Sequence, residues 1–242
     1  MNPTYLWRVM FIVLLTPALV PAQRPGAAPQ RQSDDARAIL EKAGSTYRSA
    51  SSLELKATRI QQTPDDQSDN NIDRMPFTLI VAGDKFRWEQ ESKAGTFINA
   101  SDGNQRWQYS EASNQKYTLL DGKSVDPFEF DVQVNLRTPT SQLKEARIVG
   151  NEVLETGQGK RTCIVIEARY AGPPKGFPQV ERGATTFWID PKSYFVWKMS
   201  VPYVTDFGNS VKVSAIVTTV YSSIRMNLKV PPETFAPPPE VK

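Results

Sequence analysis

The stretch that decides the fold is Lys85–Leu120, KFRWEQESKAGTFINASDGNQRWQYSEASNQKYTLL. In its first part Phe86 and Trp88 alternate with charged residues, and Trp107 and Tyr109 repeat the pattern after a Ser-Asp-Gly-Asn turn. Side chains on a strand point alternately to the two faces of a sheet. The stretch therefore predicts consecutive antiparallel strands joined by tight turns, with large aromatic side chains gathered on one face.

The first 22 residues have the composition of a secretory signal peptide. Arg8 precedes a short apolar run over residues 9–15, and Val20-Pro21-Ala22 supplies small residues near a cleavage point. We expect residues 1–22 to be removed on export and the rest of the chain to be periplasmic. Gln23 follows that cleavage point rather than a cysteine, so we do not expect the protein itself to be a lipoprotein.

The remaining chain predicts one domain between a short linker and a short tail. Residues 23–33 are rich in Pro, Gln and Ala, which favours a flexible linker. Ser33 can cap a helix in which apolar residues recur at helical spacing as far as Tyr47. Beyond that helix the pattern gives roughly ten strands. We expect residues 34–235 to form a single β-rich domain and residues 236–242 to be a proline-rich tail.

Composition argues against several classes of function. A net charge of +3 over 242 residues gives no reason to expect a nucleic acid as partner. Histidine, the commonest general base and metal ligand, is absent, and the chain has no nucleophile elbow, CxxC pair or phosphate loop. We therefore expect no enzymatic activity, no metal and no other cofactor. A pair of carboxylates that meets only in the fold is the enzymatic alternative.

Cys163 is the only cysteine, so no intrachain disulfide can form. It alternates with Val165 in a strand-like run. We expect a buried, structural thiol rather than a reactive one.

The predicted sheet is too wide for one helix to cover. About ten strands at roughly 4.8 Å spacing span nearly 50 Å, whereas a helix is about 10 Å across. The remaining apolar face can curl around a cavity or pack as a β-sandwich, and aromatic strand faces occur in both. The cavity interpretation gives a mainly β fold with few helices (α+β): a curved antiparallel sheet that forms an unclosed β-barrel, capped by the N-terminal helix and by lid segments.

That interpretation names candidate residues for the cavity and for its lid. The segment over residues 124–136 alternates apolar and acidic or amide residues, so it predicts a strand or an extended cover rather than a helix. The expected lid contacts are Phe128 and Phe130. The expected cavity residues are aromatic and come from early and late strands: Phe86, Trp88, Trp107, Tyr109, Phe187 and Trp197.

A set of short motifs occurs in order between residues 34 and 235. They are ILEKAGSTYRSASSL at 39–53, FRWE at 86–89, SDG at 101–103 followed by Trp107 and Tyr109, QKY at 115–117, FWIDPK at 187–192 and VPPETF at 230–235. In this order the set resembles the LolA-like family of periplasmic lipoprotein carriers. The wider superfamily includes LolB-like outer-membrane receptors and RseB-like regulators.

The resemblance implies an unclosed antiparallel β-barrel with helices as a lid over an apolar cavity that shelters acyl chains. It implies a carrier in outer-membrane lipoprotein sorting that binds acyl chains of lipoproteins or phospholipids and meets a membrane donor and acceptor protein. We expect a monomer. Two departures are the extended segment over 124–136, where the family's lid is helical, and the long proline-rich loop at 171–184. The alternatives are a lipid-sensing regulatory or interaction domain of the cell envelope (RseB-like) and a packed β-sandwich structural domain.

Overall fold

The computed structural model describes residues 27–63, 72–113, 117–120, 127–129, 134–174, 177–208 and 211–237. The predicted signal peptide, the lid residue Phe130 and the last five residues of the tail lie outside this part of the chain. The described elements are helix α1 (Ala27–Ser49), strands β1 (Ser52–Gln62), β2 (Ile72–Ala82), β3 (Lys85–Ser92), β4 (Gly95–Ser101), β5 (Arg106–Ser110), β6 (Tyr117–Leu120), β7 (Leu143–Thr156), β8 (Gly159–Tyr170), β9 (Val180–Arg182), β10 (Thr185–Ile189), β11 (Val196–Asp206) and β12 (Lys212–Met226), and 3₁₀ turns at Pro127–Glu129 and Pro232–Thr234.

Helix α1 begins at Ala27 rather than at Ser33, so the predicted flexible linker is wrong for residues 27–33. Alanine, glutamine and arginine in this segment have high helix propensity. Pro29 lies in the first turn, where its missing N–H has no intrahelical acceptor to lose. The predicted apolar face of the helix is confirmed, and its buried residues are Ala36, Leu40, Ala43 and Tyr47.

The strands form one antiparallel sheet in the order β6-β5-β4-β3-β2-β1-β12-β11-β10-β8-β7, with β9 paired to β11 beyond the end of β10. The two outermost strands, β6 and β7, do not pair with each other in the described residues, so the sheet is not closed. It curls at its β7 end, because the tip of the β7–β8 hairpin reaches β12. There the side-chain nitrogen of Gln158 lies 3.5 Å from the backbone oxygen of Ile224.

Two predicted segments differ from the structure. Within the cover predicted over 124–136, the described residues form a 3₁₀ turn at Pro127–Glu129 and irregular chain at 134–136, because they pack over the sheet face instead of pairing at an edge. Residues 124–126 and 130–133 lie outside the described part of the chain. The loop predicted over 171–184 contains the short strand β9, which begins after the last proline of the loop, Pro178. Proline removes a ladder donor, so pairing resumes only beyond it.

One contiguous apolar core joins helix α1 to one face of the sheet. Cys163 belongs to this core and is fully buried, as predicted. Burial raises the pKa of its thiol to about 11. Tyr47 anchors the helix because its buried hydroxyl oxygen accepts a hydrogen bond from the backbone N–H of Val196 at 3.0 Å. Among the described residues, no helix combines the length and hydropathy needed to cross a membrane.

Candidate functional site

The strand register places Phe86 and Trp88 on the sheet face that packs against helix α1, called here the inner face. Trp88 lies opposite Leu79 and Phe86 lies opposite Val81 on β2, and residues directly opposite each other on neighbouring strands share a face. Phe86 is fully buried. Trp88 stacks on Phe77, with 4.4 Å between the ring centroids and an interplanar angle of 6°. Together these strands give the inner face a continuous apolar centre.

A small apolar cavity lies on this centre. Its volume is about 30 Å³, which is roughly the share of one water molecule and far below the 300–1,000 Å³ of a typical ligand site. The described conformation is therefore closed to an acyl chain. The cavity is lined by side chains from five strands and from the segment that crosses them: Leu55, Phe77, Leu79, Trp88, Pro127, Phe128, Val134, Leu136, Met199 and Tyr221.

The crossing segment, residues 127–129 and 134–136, is called here the cover segment. Phe128, predicted as a lid contact, lines the cavity. The guanidinium of Arg137 stands 5.0 Å from the centre of the Phe128 ring, which adds a cation–π contact. The cover segment therefore closes the inner face where helix α1 does not reach.

The chain just after the cover segment is fastened to helix α1. The Arg48 guanidinium donates a hydrogen bond to the backbone oxygen of Arg137. The Thr140 hydroxyl donates to a carboxylate oxygen of Glu41 at 2.6 Å, and this bond, with the contact to Arg48, lowers the pKa of Glu41. Gly44 allows helix α1 and the segment around Pro139 to come into contact, because a Cβ at position 44 would lie 2.7 Å from Pro139 Cδ. Movement of the cover segment must therefore bend the chain near residue 137.

The turn between β4 and β5 decides which face the β5 aromatics take. Its four residues, 102–105, place Trp107 directly opposite Ala100. The Asp102 carboxylate accepts hydrogen bonds from two backbone N–H groups of the turn at 2.8 and 2.9 Å. These bonds, that from Gln105 foremost, lower the pKa of Asp102. The side chain of Asp102 thus fixes the turn and, with it, the register of β5.

That register puts Trp107 and Tyr109 on the outer face, so their predicted position beside the β3 aromatics is wrong. Ala100 lies opposite Arg87, which is on the outer face as predicted. Trp107 is fully buried there: its indole N–H donates to the backbone oxygen of Phe235 at 3.0 Å, and the Arg87 guanidinium is 5.7 Å from its ring centre. The Tyr109 ring contacts Tyr117, with centroids 4.9 Å apart.

The two late aromatics lie in the core beside the cavity rather than in its lining. Phe187 pairs with Met199, whose side chain lines the cavity, and is fully buried. Trp197 is buried at a β-bulge, with its ring 6.3 Å from Phe195. Of the six predicted cavity residues the structure therefore brings Phe86, Trp88, Phe187 and Trp197 into one core, and Trp88 alone of the six lines the cavity.

Sequence reasoning missed Leu55, Phe77, Leu79, Met199 and Tyr221 as lining residues. All five have strand partners on the inner face. The signal that could have found them is the period-2 pattern of β1 and β2, read outward from Trp88 through the pairing of neighbouring strands.

The outer face has a larger but open groove of about 220 Å³, lined in part by Lys56, Thr58, Glu89 and Glu91. Charged and hydroxyl side chains make it unsuitable for an acyl chain. In the described ranges no three His, Cys, Asp or Glu side chains converge as a metal site would require.

Comparisons with known proteins add a limited likeness of fold. No family model and no curated protein matches the sequence. A solved structure of a DUF1329 family protein from Desulfovibrio piger is similar at 8% identity and a TM-score of 0.40, covering 85% of this chain and 97% of that one. The hypothetical lipoprotein YmcC from Escherichia coli is similar at 12% identity and a TM-score of 0.28, covering 76% of this chain and 89% of that one. The fold assignment rests on the strand order and register.

Proposed function

We propose that the protein is a periplasmic carrier that shelters acyl chains of lipoproteins or phospholipids on its inner face, beneath a displaceable cover segment. The observation that supports this most is the covered apolar cavity. Phe128, Val134 and Leu136 lie over a sheet face that would otherwise expose Leu79 and Trp88. An acyl chain that takes the place of the cover segment would keep this face out of water.

The free energy of burying the cover segment is similar to that of burying an acyl chain, so one can replace the other. Burying one large apolar side chain is worth about 1.5–3 kcal/mol, and one CH₂ group about 0.8 kcal/mol. The three apolar side chains of the cover, Phe128, Val134 and Leu136, thus match about six to eleven CH₂ groups of a ligand. A saturated chain of 12 carbons or more would displace the cover, and a chain of four would not.

A chain-length series tests this proposal. Fatty acids of 4, 8, 12 and 16 carbons would compete with the neutral fluorescent probe N-phenyl-1-naphthylamine for the purified protein. We expect competition to increase steeply between 8 and 12 carbons. In a Phe128→Ala variant, competition would begin at shorter chains, because less apolar area must be displaced. Absence of probe binding in wild type and variant alike would refute the proposal.

A second candidate is a lipid-responsive interaction domain of the envelope. The tip of the β11–β12 hairpin favours it, since Phe207 is 67% exposed and Val211 is 53% exposed. Exposed apolar clusters often mark contact surfaces. Transfer of a labelled lipid between two vesicle populations separates the candidates: a carrier accelerates transfer by itself, and an interaction domain does not. A Phe207→Ser variant would retain transfer if the tip serves only a partner.

A further inference from the structure

Two half-buried arginines near the end of the cover segment have no ion-pair partner among the described residues. The Nε atoms of Arg137 and Arg182 are both buried and have no hydrogen-bond partner. No carboxylate in the described residues forms an ion pair with either guanidinium. Burial lowers the pKa of Arg182. A buried guanidinium nitrogen without an acceptor is unfavourable, and an anion within reach would supply that acceptor.

Aromatic rings hold both guanidiniums in place and supply part of that compensation. Arg182 lies 5.2 Å from the centre of the Tyr170 ring, and Arg137 lies 5.0 Å from that of Phe128. The Tyr170 hydroxyl donates to the backbone oxygen of Pro139 at 2.8 Å. A short chain of contacts therefore connects the two arginines. Arg182 packs on Tyr170, and Tyr170 forms a hydrogen bond with Pro139, which is two residues after Arg137.

Arg137 lies next to the apolar cavity, and Arg182 lies on the same sheet face at a distance that an acyl chain can span. Arg182 pairs with Tyr203, which is four residues along β11 from the cavity residue Met199, a distance of about 13 Å. Arg137 directly follows the cavity residue Leu136. A molecule that replaced Phe128 over the cavity would also take away the ring that faces Arg137, and would leave that cation to be neutralised.

We propose that Arg137 and Arg182 bind the phosphate group of an anionic lipid whose acyl chain occupies the cavity. A guanidinium presents planar, paired N–H donors that match a phosphate. This inference rests on the proposed function and narrows its ligand class from acyl chains in general to anionic phospholipid-like amphiphiles. It gives a role to two half-buried cations on the sheet face that carries the cavity.

The test uses two amphiphiles with the same chain and different heads. Dodecyl phosphate and dodecanol would compete with N-phenyl-1-naphthylamine, and inorganic phosphate would be the third competitor. Hydrogen bonds to a charged partner correspond to about a tenfold to hundredfold change in binding. We expect dodecyl phosphate to compete at least about tenfold more strongly than dodecanol, and inorganic phosphate not to compete.

Variants test which arginines produce the preference for dodecyl phosphate over dodecanol. Arg182→Met and Arg137→Met would each reduce the preference for dodecyl phosphate over dodecanol to about twofold or threefold. Arg182→Met would leave dodecanol competition unchanged, and Arg182→Lys would retain part of the preference. Arg147→Met is the matched control, because Arg147 is on β7 and forms an ion pair with Glu167 at 2.9 Å. We expect this control to keep the full wild-type preference.

The outcomes separate the two proposals. Equal competition by the two amphiphiles would overturn the phosphate site and leave the cavity proposal standing. Inorganic phosphate that protects the wild type, but not the methionine variants, against thermal unfolding would assign the arginines to free phosphate, and would also overturn the lipid-headgroup inference. Failure of both amphiphiles to compete, or of the probe to bind, would overturn the proposed function itself.

Discussion

Truncating Trp88 and Trp107 separately should give opposite patterns of effect, because the two rings lie on opposite faces of the sheet. Trp107 is fully buried on the outer face under Phe235. Removing a buried aromatic ring costs about 3–5 kcal/mol. The orphaned backbone oxygen of Phe235 adds about 1 kcal/mol if it stays buried. At about 2–4 °C per kcal/mol for a domain of this size, Trp107→Ala should lower the melting temperature by roughly 8–24 °C.

Trp88→Ala should lower the stability less than Trp107→Ala does, and should weaken ligand binding more. Trp88 is partly exposed and its main ring contact is the stack on Phe77, so we expect a loss of about 2 kcal/mol and a fall of roughly 4–8 °C. Trp88 lines the cavity. The lost apolar contact should weaken binding of a fluorescent fatty acid by about tenfold.

Two measurements on each variant check the pair: thermal unfolding followed by circular dichroism, and fatty-acid titration at a temperature where both variants are folded. We expect Trp107→Ala to bind within about twofold of wild type, because the sheet separates its ring from the cavity. The face assignment is refuted if Trp107→Ala weakens binding as much as Trp88→Ala does.

Three further predictions concern the buried thiol and the contact between helix and cover. Cys163 should not react with Ellman's reagent at pH 8 in the native protein and should react fully in urea, because its pKa is about 11 and it is buried; fast native labelling would contradict this. Gly44→Ala should lower the free energy of unfolding in urea by about 1–3 kcal/mol, since the new Cβ would meet Pro139; a gain of about 1 kcal/mol would show that helix propensity outweighs the contact. Glu41 has a lowered pKa in the folded state, chiefly from Thr140. Its stabilisation is therefore present above the unfolded pKa and lost as pH falls through the folded one. The melting-temperature advantage of wild type over Glu41→Gln should shrink below about pH 4.5, and a constant advantage down to pH 3 would contradict the assignment.

The strands could be predicted from the sequence because each has a local signal, the alternation of apolar and polar residues between turn residues. The alternation in Lys85–Ser92 gave β3 its observed bounds, and the Thr156–Gly159 signal gave the β7–β8 hairpin. The mainly antiparallel sheet and the N-terminal helix followed from such signals. The mismatch between sheet width and helix width left a cavity and a packed sandwich open, and the resemblance implied the unclosed sheet that the described residues show. The start of the helix was predicted too late, since the proline and glutamine of the lead-in are compatible with a first helical turn.

The candidate site was harder to predict because it depends on register. Alternation shows that Trp107 and Tyr109 share a face, but not which of the two faces that is. The four-residue turn stabilised by Asp102 decides this, and it pairs Trp107 with Ala100 rather than with a residue in phase with Trp88. A one-residue change of register would reverse the outcome. The cover of Trp107 by Phe235 comes from the far end of the chain, where no local pattern could indicate it.

Native mass spectrometry of the protein, produced by export to a bacterial periplasm and followed by solvent extraction of bound material, tests the central claim most directly. The account predicts a mass above that of the polypeptide and an extracted acyl-chain compound, with anionic phospholipid the main class. A mass equal to that of the polypeptide, together with no uptake of N-phenyl-1-naphthylamine, would contradict it and would leave the inner-face aromatics as ordinary core.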